Sequence, residues 1–302
     1  LATSTQQQLI NIVTTLNAKP EVEVAVQDSL LERNAISQVS TSLPTQWTWE
    51  ISPATGNYGM EMIRAPQLWN LNEALKKSSF FAPIAVIDAG FAPNHPDLIY
   101  TNNQTPNQIL SHGTQVAGII GATFNNTIGV DGINPFAELY VRGRDNPTPA
   151  LPNDPLQGRS SVGDVHINAL LDLFLERSDI RVVNISLGYT WGGGFPPIDT
   201  SLQNNQTSED ARDLASRHGR IADITIGNIS ALINPIFTPI IVTSAGNDSN
   251  VFPTPQLARY NSPFTNAALE HNNQNIIVAE AVDVTGTRAG FSNVDGTLFA
   301  PG

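Results

Sequence analysis

Three polar residues in this 302-residue chain stand where chemistry could be done. Asp88 follows directly on the apolar run Ile84-Ala85-Val86-Ile87, with Gly90 beyond it to permit a sharp turn. His112 opens Ser111-His112-Gly113-Thr114 at the mouth of a helical pattern carrying Val116, Ile119 and Ile120. Asn247 closes Ser244-Ala245-Gly246-Asn247, just after Ile240-Ile241-Val242-Thr243. A carboxylate accepts hydrogen bonds, an imidazole takes and returns a proton near neutral pH, and a side-chain amide donates. Taken singly, each has a plainer use: a lone Asp more often caps a loop, a lone His caps a helix, and Gly-Asn after a strand is usually a turn. What joins them is position. All three fall at strand exits or a helix mouth, on the side where an α/β sheet binds ligands.

The elements that would hold them alternate. Strand candidates are Ile84–Ile87, Leu139–Val141, Val182–Leu187, Ile240–Thr243 and Ile276–Val278, short and rich in Val and Ile. They mostly lack polar alternation, as strands covered on both faces do. Helical patterns lie between them at Ala65–Leu75, Gln115–Ala122, Asp164–Arg177 and within Ser208–Ile236. Asp164–Arg177 is the clearest, with Ile167, Leu170, Leu171 and Phe174 on one stripe. Strands alternating with helices predict an α/β fold, a mainly parallel sheet with helices on both faces. Residues 1–40 read differently. Leu9, Ile12, Val13 and Leu16 form an amphipathic helical pattern, Pro20 ends it, and Val22, Val24 and Val26 alternate as in a half-buried strand. A small N-terminal appendage of residues 1–40 before a main domain of 47–302 is therefore expected.

Composition sets limits. Hydrophobic residues make up 40% and charged residues 14%, which argues against disorder. The 27 acidic side chains outnumber the 15 basic ones, of which only Lys19, Lys76 and Lys77 are lysines. That balance argues against nucleic acid or an anionic membrane surface as a partner, and the apolar run Phe80 to Ile87 is broken by Pro83 and too short to span a bilayer. With no cysteine, disulfides, Cys-ligated zinc and thiol catalysis are excluded. His95, His166, His218 and His271 show no zinc-ligand spacing and read as structural or surface residues. The chain opens at Leu1 and is expected to be a processed or trimmed product.

Together the words around the three polar residues resemble one family. Ala85-Val86-Ile87-Asp88-Ala89-Gly90 followed by His95-Pro96-Asp97-Leu98 resembles the aspartate motif of subtilisin-like serine proteases. His112-Gly113-Thr114-Gln115-Val116-Ala117-Gly118 is similar to their histidine motif. Asn184-Ile185-Ser186-Leu187-Gly188 resembles the strand lining their substrate cleft, and Ser244-Ala245-Gly246-Asn247 their oxyanion segment. Phe291-Ser292-Asn293 with Ala300-Pro301-Gly302 resembles the run-up to the nucleophile. The motifs stand in family order, from about Trp47 to Gly302. Residues 1–40 resemble the end of the family's inhibitory prosegment.

The resemblance implies a subtilisin-like fold and a serine endopeptidase acting on extended polypeptides outside the cytoplasm. His112 would take the serine proton, Asp88 would orient His112 and stabilise the imidazolium, and Asn247 would donate to the oxyanion. Ser186, Leu187 and Gly188, with Ser244, Ala245 and Gly246, would bind the peptide, the first three by strand addition. It also implies a structural calcium ion at Asp97 and Asn126, in the loop Phe124 to Val130, where carboxylate, amide and backbone oxygens suit a hard cation. An Asx-rich turn without metal is the other reading of that loop. Two departures stand out. Ala89 replaces the Ser or Thr usual beside the aspartate. No Gly-Thr-Ser nucleophile motif occurs, since Gly286-Thr287 runs into Arg288. The nucleophile is therefore expected beyond Gly302, on the same chain or on a separate C-terminal fragment that completes the domain. The alternatives are a non-catalytic relative that binds peptides or a protein partner, and a nucleotide-binding α/β protein. The second is disfavoured because neither a G-x-G-x-x-G nor a P-loop motif appears.

Overall fold

Strand β1 (Ile84–Asp88) has alternate residues in two different cores. Ala85 and Ile87 point into one with Leu170, Phe174, Ile185, Ile226 and Phe264, and Val86 into another with Phe91, Leu98, Ala117, Leu139 and Val141. This is why the run carries no polar alternation: both faces of the sheet are covered. The computed structural model describes residues 58–69, 82–103, 112–123, 126, 128–134, 136–143, 162–189, 209–233, 238–250 and 255–302, together with Thr15. The chain divides into two units, Leu1–Pro44 and Thr45–Gly302. The expected appendage, much of the predicted helix Ala65–Leu75 and the stretch 190–208 lie outside the described residues.

The other strands are β2 (Tyr100–Asn103), β3 (Leu139–Gly143), β4 (Val182–Ile185), β5 (Ile240–Ser244), β6 (Ile276–Val282) and β7 (Leu298–Pro301). They form one sheet in the order β2-β3-β1-β4-β5-β6-β7, with every pairing parallel. From β1 the chain crosses to the edge strand β2 and returns to β3 between the two, then passes to β4 on the other side of β1 and winds outward to β7. The order reverses between β1 and β4, so a crevice opens outside their carboxyl ends.

Among the described residues the helices include α1 (Tyr58–Met62), α2 (His112–Gly121), α3 (Val162–Glu176), α4 (Glu209–Asn228) and α5 (Pro263–Leu269). Helix α2 packs on β1 and β3 and covers one face, while α3, α4 and α5 serve the core on the other. The predicted stripe of α3 is buried at Ile167, Leu170 and Phe174.

Helix α1 escapes the sequence patterns, and so do three further elements, each of these for a physical reason. β2 is polar (Tyr-Thr-Asn-Asn), and β7 ends on Pro301 at the sheet edge, where a missing N–H is tolerated. Helix α5 is only seven residues long; Ser262 caps it reciprocally with Thr265, and Pro263 opens it. Boundaries also move. β4 stops at Ile185, so Ser186-Leu187-Gly188 emerges beyond the ladder. β6 runs on to Val282 past the buried Glu280, whose Oε1 accepts the Gly296 N–H at 2.6 Å.

Candidate active site

Asp88 and His112 meet because the loop after β1 forms the seat of α2. Gly90 turns that loop with φ 74°. The carbonyls of Ala89 and Gly90 then accept the N–H groups of Gly113 (3.1 Å) and Thr114 (3.2 Å), which begin the helix without intrahelical partners. Thr114 Oγ1 accepts the Ala92 N–H at 2.8 Å and fastens the loop from the other side. These bonds hold His112 Nδ1 2.6 Å from Asp88 Oδ1. The same carboxylate oxygen accepts the Ala89 N–H at 2.6 Å. Burying a carboxylate is unfavourable unless donors meet it, and the fully buried Asp88 has both. A carboxylate only accepts, so Nδ1 carries the hydrogen and Nε2 is left as the basic nitrogen. The His112 side chain is 52% exposed, so the imidazole of the pair reaches the surface.

The other expected residues line the exits of the two next strands. Ser186-Leu187-Gly188 follows β4, and Ser244-Ala245-Gly246-Asn247 spans the end of β5 and the turn after it. β1, β4 and β5 are neighbours in the sheet, so all of these open at one edge. Ala245 is buried and bonds back to β6 through Ala279 O at 2.9 Å, whereas Asn247 is exposed. Its loop is held from beneath by Asn293, which is fully buried. The Asn293 N–H donates to Gly246 O at 2.9 Å, and its Oδ1 accepts the Asp248 N–H at 3.0 Å.

A carboxylate–imidazole pair at the carboxyl end of β1, with an exposed amide on a braced loop two strands away, is an arrangement suited to acyl transfer. A model described as the Subtilase family matches residues 82–302. The chain belongs to the subtilase family. Thermitase of Thermoactinomyces vulgaris is 39% identical over 99 residues, covering 30% of this chain and 34% of that protein. The thermophilic serine proteinase of Bacillus sp. (strain AK1) is 26% identical over 221 residues, covering 65% and 48%. The minor extracellular protease Epr of Bacillus subtilis (strain 168) is 28% identical over 225 residues, covering 72% and 27%. The matched stretches span less than half the length of each of these relatives. Among solved structures, the nisin leader peptidase NisP from Lactococcus lactis shares the fold, with a TM-score of 0.50 over 81% of this chain and 67% of that one at 18% identity.

In this subtilase, Asp97 and Asn126 are also brought together, at the opposite end of α2. Asp97 is buried; Asn126 Nδ2 donates to its Oδ1 at 2.9 Å and the Val130 N–H to its Oδ2 at 2.9 Å. Asn126 Oδ1 accepts the Ile128 N–H at 2.9 Å. Among the described residues, no group of three or more His, Cys, Asp or Glu is placed to hold a metal ion. Any cation here would lean on amide and backbone oxygens beside the one carboxylate.

The remaining histidines sit in structural positions. His95 Nδ1 accepts the Asp97 N–H at 3.3 Å, His218 bonds Tyr189 at 2.9 Å, and His166 is fully buried beneath the sheet. Two residues that brace these loops have little signature in the sequence. Asn293 belongs to the word Phe291-Ser292-Asn293 without a role of its own there, and Asn261 carries no signal beyond preceding the Ser262-x-x-Thr265 capping box.

Proposed function

We propose that this subtilase is a serine endopeptidase hydrolysing extended polypeptides, with His112 as general base and Asp88 as its partner. The observation that carries it is the 2.6 Å bond from half-exposed His112 to buried Asp88, which leaves Nε2 free of that bond to accept a serine proton. As the serine oxygen attacks the scissile carbonyl carbon, its proton passes to His112 Nε2 and the carbonyl electrons move onto oxygen. The proton then passes to the leaving amine, and water repeats the sequence on the acyl-enzyme. Asn247 would donate to the developing oxyanion; removing one such donor costs about 10²–10³ in kcat in proteases of this kind. Ser186-Leu187-Gly188, beyond the β4 ladder, offers main-chain groups to an added peptide strand.

The nucleophilic serine is taken to follow Gly302, on the same chain or on a fragment that completes the domain. In support, β7 runs parallel to the rest of the sheet, so its carboxyl end opens on the same edge as Asp88. A fluorophosphonate probe on the full-length protein should label one serine after Gly302 and should fail on the His112→Ala variant. Labelling of a serine within residues 1–302 would contradict this assignment.

Two lesser proposals accompany it. Asp97 and Asn126 would hold a calcium ion that stabilises the fold; each Asp97 oxygen keeps a lone pair beyond the N–H it accepts, and Asn126, whose Nδ2 now donates to Asp97, would turn its carbonyl oxygen to the ion on binding. No step of hydrolysis passes through it. The protein would act outside the cytoplasm, as the name of one relative, an extracellular protease, supports. Among the described residues no helix is long and apolar enough to cross a membrane.

A further inference from the structure

Asn247 stands exposed in a turn whose flanking residues are bonded to the segment Phe291–Asn293 beneath it. Ahead of it, the Gly246 carbonyl accepts the Asn293 N–H at 2.9 Å. Behind it, the Asp248 N–H donates to Asn293 Oδ1 at 3.0 Å, and the Ser249 hydroxyl donates to the same oxygen at 3.3 Å. The Ser249 N–H adds a bond to the Phe291 carbonyl at 3.1 Å. One residue, Asn293, therefore grips the chain immediately before and immediately after Asn247.

The partners fix which way that amide faces. A backbone N–H only donates, so the Asn293 atom facing Asp248 is the carbonyl oxygen. The Ser249 hydroxyl oxygen accepts the Gln256 N–H at 2.9 Å while its hydrogen turns to Asn293 Oδ1. Nδ2 then faces the Asp248 carboxylate at 3.4 Å and lies against Gly246, where a Cβ would collide with it. Gly246 has φ 102°, a conformation that glycine takes readily and other residues do not. Asn293 is itself firmly seated. It is fully buried, and the Ser292 hydroxyl that donates to its carbonyl at 3.1 Å accepts the Ala281 N–H of β6 at 3.0 Å. Through Asn293 the turn is registered to the sheet.

An oxyanion donor works only when it is aimed at the place where charge develops, and a displacement of about 1 Å can cost about 10²-fold in rate. The aim of the Asn247 amide follows from the backbone of its turn, and Asn293 fixes that backbone on both sides. We propose that Asn293 is a positioning residue for this donor: buried beneath the turn, it acts through Asn247 and not on the substrate. The inference rests on the peptidase function with Asn247 as its oxyanion donor, and it names the group that holds the donor in place before substrate arrives.

The test is steady-state hydrolysis of one labelled peptide by the full-length protein and by its Asn247→Ala, Asn293→Ala and doubly substituted forms, with a thermal melt on each. Asn247→Ala should lower kcat by about 10²–10³. Asn293→Ala should lower kcat by about 10–10² with KM little changed, because the interaction it disturbs is made only in the transition state. In the Asn247→Ala background the same Asn293→Ala change should cost less than about threefold, since the donor it aims is gone. A merely structural residue would lower kcat by the same factor in both backgrounds. That equal loss would overturn the inference and leave the peptidase and its donor standing, as would a folded Asn293→Ala protein that keeps its kcat. Should Asn293→Ala fail to fold, Ser249→Ala, which removes one donor to Oδ1, is read in the same way. A several-fold loss of kcat that disappears in the Asn247→Ala background supports the inference; no loss, or an equal loss in both, overturns it. A full-length protein that hydrolyses no peptide, or that keeps its kcat as Asn247→Ala, would overturn the donor assignment and the inference together.

Discussion

The two ends of α2 each hold a buried aspartate, and they differ in what the carboxylate faces. Asp88, at the start of the helix, is 0% exposed and bonded to a half-exposed imidazole. Asp97 is 2% exposed; its carbonyl accepts the Thr123 N–H at 2.8 Å just past the last turn of the helix. Among the described residues its carboxylate oxygens accept from an amide and a backbone N–H, and neither donor titrates. The ends of a ten-residue helix stand about 15 Å apart. Burial alone therefore does not mark the reactive carboxylate. The partner does under the proposed function: a half-exposed imidazole donor would make a proton relay, and fixed donors a structural clasp or a cation site.

Substitutions at the two ends should separate these roles. The largest effect is expected from His112→Ala, which should lower kcat by about 10⁴–10⁶, because the base acts as one unit with nucleophile and carboxylate. Its cost in stability should stay within about 1–3 kcal/mol, the penalty for one lost bond to a buried acceptor. Peptide hydrolysis and thermal melts on the same preparation check both. Asp97→Ala should show the opposite balance: at least about 1–3 kcal/mol lost for each donor left unmet, with kcat near its starting value below the melting range. A collapse of kcat in a folded Asp97→Ala protein would remove the distinction between the two carboxylates. The smallest effect concerns the cation. Calcium at a hundredfold excess over Kd should add about 2.7 kcal/mol to the folded state. Melts in calcium and in chelator should differ by several degrees, and Asp97→Ala should abolish the difference. Identical melts in the unsubstituted protein would leave the Asp97 end as a hydrogen-bonded turn only.

Much of the reactive end was legible because its signals are local. The strand before Asp88 and the helix after His112 read directly from apolar runs, and their family motifs joined them before any distance was known. The parallel sheet was legible for the same reason: Ala85, Val86 and Ile87 feed two cores, and only a doubly covered strand is apolar at every position. What escaped depends on long-range partners. Glu280 reads as a strand breaker until its oxygen is seen to meet the Gly296 N–H. Asn261 reads as a loop residue until β4 and β5 are side by side, for its roles lie 72 and 17 positions away, at Tyr189 and Ser244. Periodicity reports which face is buried and is silent on which buried polar group bridges two strand exits.

The pairing of Asp88 with His112 is tested most directly by kcat in the full-length protein carrying Asp88→Ala, His112→Ala or both. Two residues acting through the 2.6 Å bond form one unit, so the double variant should lose little beyond the worse single one. Losses that add, or near-normal turnover in either single variant, would contradict a catalytic role for the pair.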